Sequence, residues 1–227
     1  MNTKSVGYGP KAVLDEAVDQ GELPFAIAAM GSSEGQLWSH AAGHRDANKH
    51  HSASPDNIIQ IASMTKLVTT IAALQLVERG LLALDEPADV YVDELARLRV
   101  LTGFDAGGKG QFEGAKRAPT VRELITHTAG FVYEIWDANA QQAVTAGLTE
   151  SFLAGGNFLV NPLAFQPGTQ WEYGTNTDWL GILIEQRSGD RLVDYFEKNI
   201  FEPLGMKDTY FELPEDKLDR SVTMMAR

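Results

Sequence analysis

The chain has 227 residues, of which 44% are hydrophobic, and its 31 acidic residues outnumber its 19 basic ones to give a formal net charge of -12. This surplus of negative charge is repelled by phosphate backbones and by anionic membrane surfaces, which argues against nucleic acid or a membrane as a partner. The chain contains no cysteine, so disulfides, cysteine-ligated metals and thiol nucleophiles are excluded.

The N-terminal part of the chain predicts one helix followed by short strands. The first 21 residues contain no continuous apolar segment of the kind found in export signals, and no run of about 20 apolar residues occurs elsewhere, so we expect a cytoplasmic protein. Residues 10–20 have apolar positions on one helical face and predict a helix. The runs LPFAIAAMGS and QLWSHAAGH flank turn-forming residues and predict an antiparallel hairpin, and Asn57–Ile61 predicts a brief third strand.

A helix from Ser63 to about Arg79 is apolar on nearly all sides, which predicts that it is buried at the centre of the fold. Lys66 is its one charged residue before position 78. Burial and the positive end of the helix dipole both disfavour an ammonium group, so we expect the pKa of Lys66 to be lowered. Ser63 lies three positions earlier on the same face. The pair therefore predicts a serine nucleophile activated by a neutral lysine, and the alternative is a helix-capping serine beside a surface lysine.

The second half of the chain predicts a loop and then helices. Residues 102–116 are rich in glycine and predict a flexible surface loop. Thr120 and Glu123 have the spacing of a capping box at a helix start. From residue 130 to about 206 we expect mainly helices, among them Thr177–Arg187 and a helix with Asp190 as its N-cap.

Strands at the front of the chain and helices behind them predict an α+β fold. We expect residues 1–101 to form the first part of a sheet domain that includes the nucleophile helix, and residues 102–227 to form a mainly helical region. Two or three strands make a poor sheet, so we also expect that part of the sheet is missing from this chain.

Five segments, spread over most of the chain, resemble the serine β-lactamase and penicillin-binding-protein superfamily, and most closely its family VIII carboxylesterases and class C β-lactamase-like acyltransferases. They are IASMTK (61–66), GLLALDEPADVYV (80–92), TVRELITHTAGF (120–131), QPGTQWEYGTNTDWLG (166–181) and EPLGMKDTYF (202–211). The resemblance implies a β-lactamase-like fold, in which helices flank an antiparallel sheet. It also implies that Ser63 is the acylated nucleophile, that Lys66 is its base and that Tyr173 shares the proton transfers. No metal or cofactor is implied.

Two departures from the family pattern affect the expected substrate. Class C lactamases carry Tyr-x-Asn, whereas this chain has Tyr173, Gly174 and Thr175, with Asn176 one position later. This shift favours the esterase branch and leaves Asn176 outside the expected catalytic set. The third motif of the family, which lies on a further strand of the sheet, does not occur in the sequence, so the resemblance implies that the C-terminal strands of the sheet domain are absent from this chain.

We therefore expect a serine hydrolase that cleaves small-molecule, short-chain carboxylic esters through an acyl-enzyme on Ser63. The alternatives are a β-lactamase or acyltransferase on the same scaffold, acting on an ester or amide, and an inactive fragment or one half of a complementing pair in which another chain completes the sheet. Tyr133 and Trp136 either line the acyl pocket or pack against the helices, and His127 is expected to be a hydrogen-bonded structural residue. We expect no metal site.

Overall fold

The computed structural model describes residues 9–157, 159 and 161–223. The first eight residues, on which part of the localisation prediction depends, lie outside this description. The chain forms two compact units, one made of Met1–Ile61 with Asp208–Arg227 and the other of Ala62–Lys207. The sequence-based division between residues 101 and 102 stays a prediction, because these units are defined by compactness alone.

The first unit contains the predicted helix and hairpin. Helix α1 spans Pro10–Asp19, and strands β1 (Phe25–Ser32) and β2 (Gly35–Gly43) pair in antiparallel register from Phe25 opposite Gly43 onwards. The α1 carboxylate of Asp15 lies 2.6 Å from Nε2 of His40 on β2, which ties the helix to the hairpin. Both predictions for this part of the chain are confirmed.

The third strand predicted at Asn57–Ile61 is wrong. Only Ile58 is paired there, in a single parallel bridge to Ser221 formed by two backbone hydrogen bonds, from Ile58 N to Arg220 O and from Val222 N to Ile58 O. The β-favouring side chains cannot form a strand where the neighbouring segment offers pairing groups at one position only. None of the described residues of the first unit is fully buried.

The second unit contains the hydrophobic core, which surrounds helix α5 (Asn176–Ser188). Its helices and strands are α2 (Thr65–Glu78), β3 (Arg99–Phe104), β4 (Gly110–Gly114), α3 (Val121–Ile125), α4 (Ala138–Thr145), α5 (Asn176–Ser188), α6 (Leu192–Phe196) and, after a π-helical turn, α7 (Glu202–Leu204). Leu180, Leu183 and Ile184 of α5 have no solvent exposure. Burial of each such side chain contributes about 1.5–3 kcal/mol. Gly189 ends α5 in the left-handed conformation, as its sequence position predicts.

Helix α2 is buried on one face only, so the prediction of a helix buried on all sides is wrong. Its buried residues include Ala72, Ala73 and Leu76, which pack into the core of the second unit. Leu67 is 67% exposed and Leu74 is 41% exposed on another face. Ala72 and Ala73 allow close packing on the first face, whereas Leu67 and Leu74 lie outside that contact.

The glycine-rich segment is a hairpin and not the loop that was predicted. Strands β3 and β4 pair in antiparallel register, with Arg99 opposite Gly114. Oδ1 of Asp105 accepts the backbone NH groups of Gly107 and Lys109 at 2.9 and 3.0 Å, and so closes the turn between the strands. The glycines therefore supply turn geometry within an ordered hairpin.

The helical prediction for residues 130–206 is correct for α4, α5 and α6 and wrong for the long irregular segment from 146 to 175. Asp190 is not an N-cap, because Arg191 holds that position and the Leu192 NH is instead satisfied by Glu185 Oε1 at 2.7 Å. No helix in the described part of the chain is long and apolar enough to cross a membrane.

The predicted capping box at the start of α3 is confirmed. Glu123 N donates to Thr120 Oγ1 at 3.2 Å, and Thr120 N donates to Glu123 Oε2 at 2.9 Å. Glu123 also pairs with Arg117 at 2.6 Å, and the Arg117 guanidinium donates to Pro167 O at 3.0 Å. The same carboxylate therefore starts α3 and fixes the beginning of the segment that leads to Tyr173.

Gly174 provides a test of how closely two backbone segments approach. A Cβ atom at this position would lie 2.3 Å from Phe131 O and 2.4 Å from Val132 Cα, distances that require the backbone to move. We expect Gly174→Ala to lower the free energy of unfolding by about 1–3 kcal/mol, measured by urea denaturation. Gly114→Ala is the matched control, because no atom lies within 4 Å of its new Cβ. Equal denaturation midpoints for the two variants would contradict the close approach.

Candidate active site

Ser63 lies at a strained turn directly before α2. It belongs to the 3-10 turn Ala62–Met64, and its side chain is exposed. Ala62 has a backbone φ of 43°, in the left-handed region that residues other than glycine rarely adopt. Such a conformation costs on the order of 1 kcal/mol and is typically retained where the surrounding structure enforces it, often at functional sites. The turn presents the Ser63 hydroxyl at the N-terminal end of α2.

The ammonium group of Lys66 is the centre of the site. Its Nζ lies 3.4 Å from Ser63 Oγ and 3.3 Å from Tyr133 Oη. The same atom lies 4.8 Å from the centre of the Tyr173 ring and 5.7 Å from that of Tyr133. Three elements that are distant in sequence thus bring together the serine, the lysine and both tyrosines.

The pKa of Lys66 is raised above its ordinary value of 10.5, so the prediction of a lowered value is wrong. Burial does lower this pKa, as the sequence argument held. The hydrogen bond to Tyr173, together with the hydrogen bond to Tyr133 and the charge that Tyr133 carries when it is ionised, raises it by more. These tertiary partners keep Lys66 charged at neutral pH.

The pKa of Tyr173, in contrast, lies below its ordinary value of 10.0. Burial raises the pKa of this phenol, but hydrogen bonds from Lys66 and Ser63 and the positive charge of Lys66 lower it by more. The basic form of Tyr173 is therefore stabilised at a position where it accepts a hydrogen bond from the Ser63 hydroxyl. These opposite shifts make Tyr173 a candidate proton acceptor beside Ser63, and the predicted role of Lys66 as the base stays a prediction.

Tyr133 has the opposite shift although it faces the same ammonium. Burial and the negative charge of Asp178 raise its pKa above 10.0, against the lowering effect of Lys66. Its side chain is almost fully buried, and its ring packs 4.4 Å from that of Phe152. Tyr133 thus stays a neutral phenol beside Lys66.

Asp178, in the first turn of α5, is a charged group near the site that the sequence analysis missed. Burial raises the pKa of its carboxyl group, whereas the charge of Lys66 lowers it. Its own negative charge raises the pKa of both Tyr133 and Tyr173. Asp178 lies 112 positions after Lys66 in the sequence, and the packing of α5 near α2 brings its carboxylate within range of the Lys66 charge.

The structure also places three other residues that the sequence analysis considered. His127 is a hydrogen-bonded turn residue, as predicted, and the Asn176 amide donates inward to Phe131 O at 2.8 Å. Trp136 is 63% exposed, and no contact described for it reaches Ser63 or Lys66. Its role in an acyl pocket stays a prediction. Within the described residues no cluster of three or more His, Asp or Glu side chains is arranged to hold a metal ion.

Comparison with known proteins identifies the family. The sequence profile described as Beta-lactamase matches residues 11–227. The chain belongs to the β-lactamase family. Its architecture is therefore the predicted α+β, β-lactamase-like fold, and the sequence resemblance to this superfamily is confirmed.

Relatives of this β-lactamase-family chain include both transferases and esterases. Acyltransferase mokF of Monascus pilosus is 34% identical over 213 residues, which cover 90% of this chain and 52% of the relative. A lovastatin esterase of Penicillium rubens is 35% identical over 86% of this chain and 50% of its own length. The unliganded simvastatin synthase LovD of Aspergillus terreus superposes with a TM-score of 0.84 at 34% identity, covering 93% of this chain and 55% of that structure. The chain spans about half the length of the curated relatives it matches.

Asp178→Asn tests the electrostatics of the site. Removing a negative charge that raises the pKa of Tyr173 should lower that pKa, so the acid limb of Ser63 modification should move to lower pH. The measurement is the rate of modification by a fluorophosphonate as a function of pH. Asp194→Asn, which alters an exposed carboxylate paired with Arg191, is the control and should leave the limb unchanged. A limb that stays fixed or moves to higher pH in Asp178→Asn would contradict this assignment.

Proposed function

We propose that this protein is a serine esterase that cleaves short-chain carboxylic esters through an acyl-enzyme on Ser63. The observation that carries the proposal is the contact of one ammonium with the serine and both tyrosines, in which Lys66 Nζ lies 3.4 Å from Ser63 Oγ. The opposite pKa shifts of the two tyrosines support Tyr173 as the base. An activated serine beside a positioned base is the arrangement that nucleophilic catalysis requires.

Acylation follows from this geometry. The Tyr173 phenolate takes the proton of the Ser63 hydroxyl while Oγ bonds to the ester carbonyl carbon. The bond from that carbon to the alcohol oxygen then breaks, and the alcohol leaves with the proton returned by Tyr173. Lys66 stays charged throughout and stabilises the phenolate each time it forms. The family resemblance adds the Ser63 backbone NH as a donor to the oxyanion.

Deacylation uses the same base, and either water or an alcohol can accept the acyl group. Water, deprotonated by Tyr173, attacks the acyl carbon and releases the acid, with Ser63 recovering its proton. Acyl transfer to an alcohol is the second candidate, since it replaces only the water in this step. It is favoured by mokF, which is named an acyltransferase, whereas the lovastatin esterase supports hydrolysis.

The segment after Tyr173 supports esters over β-lactams. Thr175 occupies the position where class C lactamases have an asparagine, and its side chain is buried. Asn176 is fully buried, and its amide is engaged with Phe131 O. The burial of both side chains supports an ester substrate over a β-lactam.

Active-site labelling tests the proposal directly. A fluorophosphonate and a p-nitrophenyl short-chain ester should both react with the parent chain at Ser63, located by mass spectrometry of the labelled peptide. Ser63→Ala should abolish labelling, and Lys66→Met and Tyr173→Phe should each slow it by about 10²–10⁴-fold. Tyr195→Phe is the matched control, because the buried Tyr195 hydroxyl has no hydrogen-bond partner in the described part of the structure.

The outcomes separate the alternatives. Labelling that persists in Ser63→Ala would overturn the nucleophile assignment. A folded parent that neither labels nor turns over the ester would favour the inactive fragment or the complementing pair. A parent that labels and forms a new ester from an added alcohol faster than it releases acid would favour the acyltransferase.

A further inference from the structure

Tyr173 lies in an irregular segment, so its position depends on specific contacts and not on regular secondary structure. Several of these contacts converge on His127. The backbone carbonyl of His127 accepts a hydrogen bond from the Glu172 NH at 3.0 Å. The ring nitrogen Nδ1 of His127 lies 3.5 Å from the Gly174 backbone nitrogen and 3.1 Å from Asn176 Nδ2. The imidazole ring also packs 4.8 Å from the Tyr173 ring. His127 thus contacts the chain on both sides of Tyr173.

The hydrogen-bond partners determine the protonation of the His127 ring. A backbone NH and an amide NH₂ are both donors, so Nδ1 has to be the unprotonated nitrogen. The orientation of the Asn176 amide is fixed independently, because its Nδ2 also donates to Phe131 O at 2.8 Å and a carbonyl accepts only. The ring proton therefore belongs on Nε2, which lies 3.5 Å from Thr177 Oγ1.

The backbone of His127 is unusual as well. Its φ is 59°, in the left-handed region, which costs a residue other than glycine on the order of 1 kcal/mol. This turn directs the ring towards Tyr173 and the carbonyl towards Glu172. The strained conformation and the acceptor nitrogen serve the same contact with the Tyr173 segment.

We propose that His127 is a positioning residue of the active site, whose neutral ring accepts hydrogen bonds at Nδ1 and thereby holds the Tyr173 hydroxyl against Ser63 and Lys66. Protonation of the ring removes the acceptor and puts a cation next to Lys66. The site then loses its geometry at low pH by a step that is separate from protonation of Tyr173. The effect on catalysis rests on the function proposed above, whereas the contact itself does not.

The surroundings of His127 favour the neutral ring that this role requires. Burial first, and then the charge of Lys66, lowers the pKa of His127 from 6.5 to about 4. The titratable groups that act on or contact the ring are Lys66 from α2, whose charge lowers its pKa, and the phenol of Tyr173, which packs against it. Because the pKa is lowered by folding, the stability linked to the neutral ring is fully present above about 6.5 and is lost as the pH falls through about 4.

Two variants separate the acceptor from the backbone. His127→Asn keeps an acceptor near the Nδ1 position, and asparagine tolerates a left-handed backbone. His127→Gly also allows the left-handed backbone conformation but provides no side-chain hydrogen-bond acceptor. We expect His127→Asn to retain Ser63 labelling within about tenfold of the parent and His127→Gly to lose about 100-fold or more, with both variants checked for cooperative unfolding. Equal labelling rates in His127→Gly and the parent would overturn the proposal.

A spectroscopic measurement on the parent needs neither activity nor a variant of His127. Nitrogen-15 NMR of the imidazole ring should show the neutral tautomer protonated at Nε2 at neutral pH. The carbon-13 signal of the Tyr173 ring, assigned by its loss in Tyr173→Phe, should have an inflection near pH 4 as His127 titrates. A ring protonated at Nδ1, or a Tyr173 signal that does not respond near pH 4, would overturn the proposal. Failure of labelling with both signals as expected would instead count against the proposed function alone.

Discussion

One partly buried ammonium group, placed between two tyrosines and a serine, determines the chemistry of this site. Lys66 contacts Ser63 and Tyr133 through its Nζ and lies over the Tyr173 ring. Each pKa unit by which the cation favours a phenolate corresponds to about 1.4 kcal/mol. The two phenols respond differently because Tyr133 is more deeply buried, while Tyr173 also receives a hydrogen bond from Ser63. The same charge therefore leaves the pKa of Tyr133 raised and that of Tyr173 lowered.

The rest of the second unit holds these groups at the required distances. Helix α2 fixes Lys66 by burying the face that includes Ala72 and Ala73, and the strained turn at Ala62 exposes the nucleophile. The segment that carries Tyr173 has no regular structure, and close backbone contact at Gly174 locates it. Precision on this side of the site comes from sterics and hydrogen bonds, which makes it more sensitive to substitution than a helix would be.

Local features of the fold could be predicted from the sequence. The spacing of Ser63 and Lys66 is a property of one helical turn, and the Thr120–Glu123 capping box involves only neighbouring residues. The resemblance of five segments to the β-lactamase superfamily supplied Tyr173, which no local pattern identifies.

Features that depend on tertiary contacts could not be predicted. The pKa of Lys66 was expected to fall because burial and the helix dipole are visible in the sequence, whereas the tyrosines that raise it come from distant segments. Asp178 belongs to α5, far in sequence from Ser63 and Lys66. Its carboxylate comes close to Lys66 only because α5 packs near α2. The β3–β4 hairpin was not predicted, because a glycine-rich sequence is typical of a flexible loop. In the structure, the Asp105 side chain accepts a hydrogen bond from the turn backbone and orders it.

The ionisation of Tyr173 tests the central claim most directly. Tyrosinate absorbance can be followed with pH in the folded chain, which contains 6 tyrosines, and compared with Tyr173→Phe and Lys66→Met. The account predicts one tyrosine that ionises below 10, disappears in Tyr173→Phe and ionises at higher pH in Lys66→Met. If the first tyrosine to ionise persists in Tyr173→Phe, or is unaffected by the loss of Lys66, the assignment of Tyr173 as the base supported by the lysine charge is wrong.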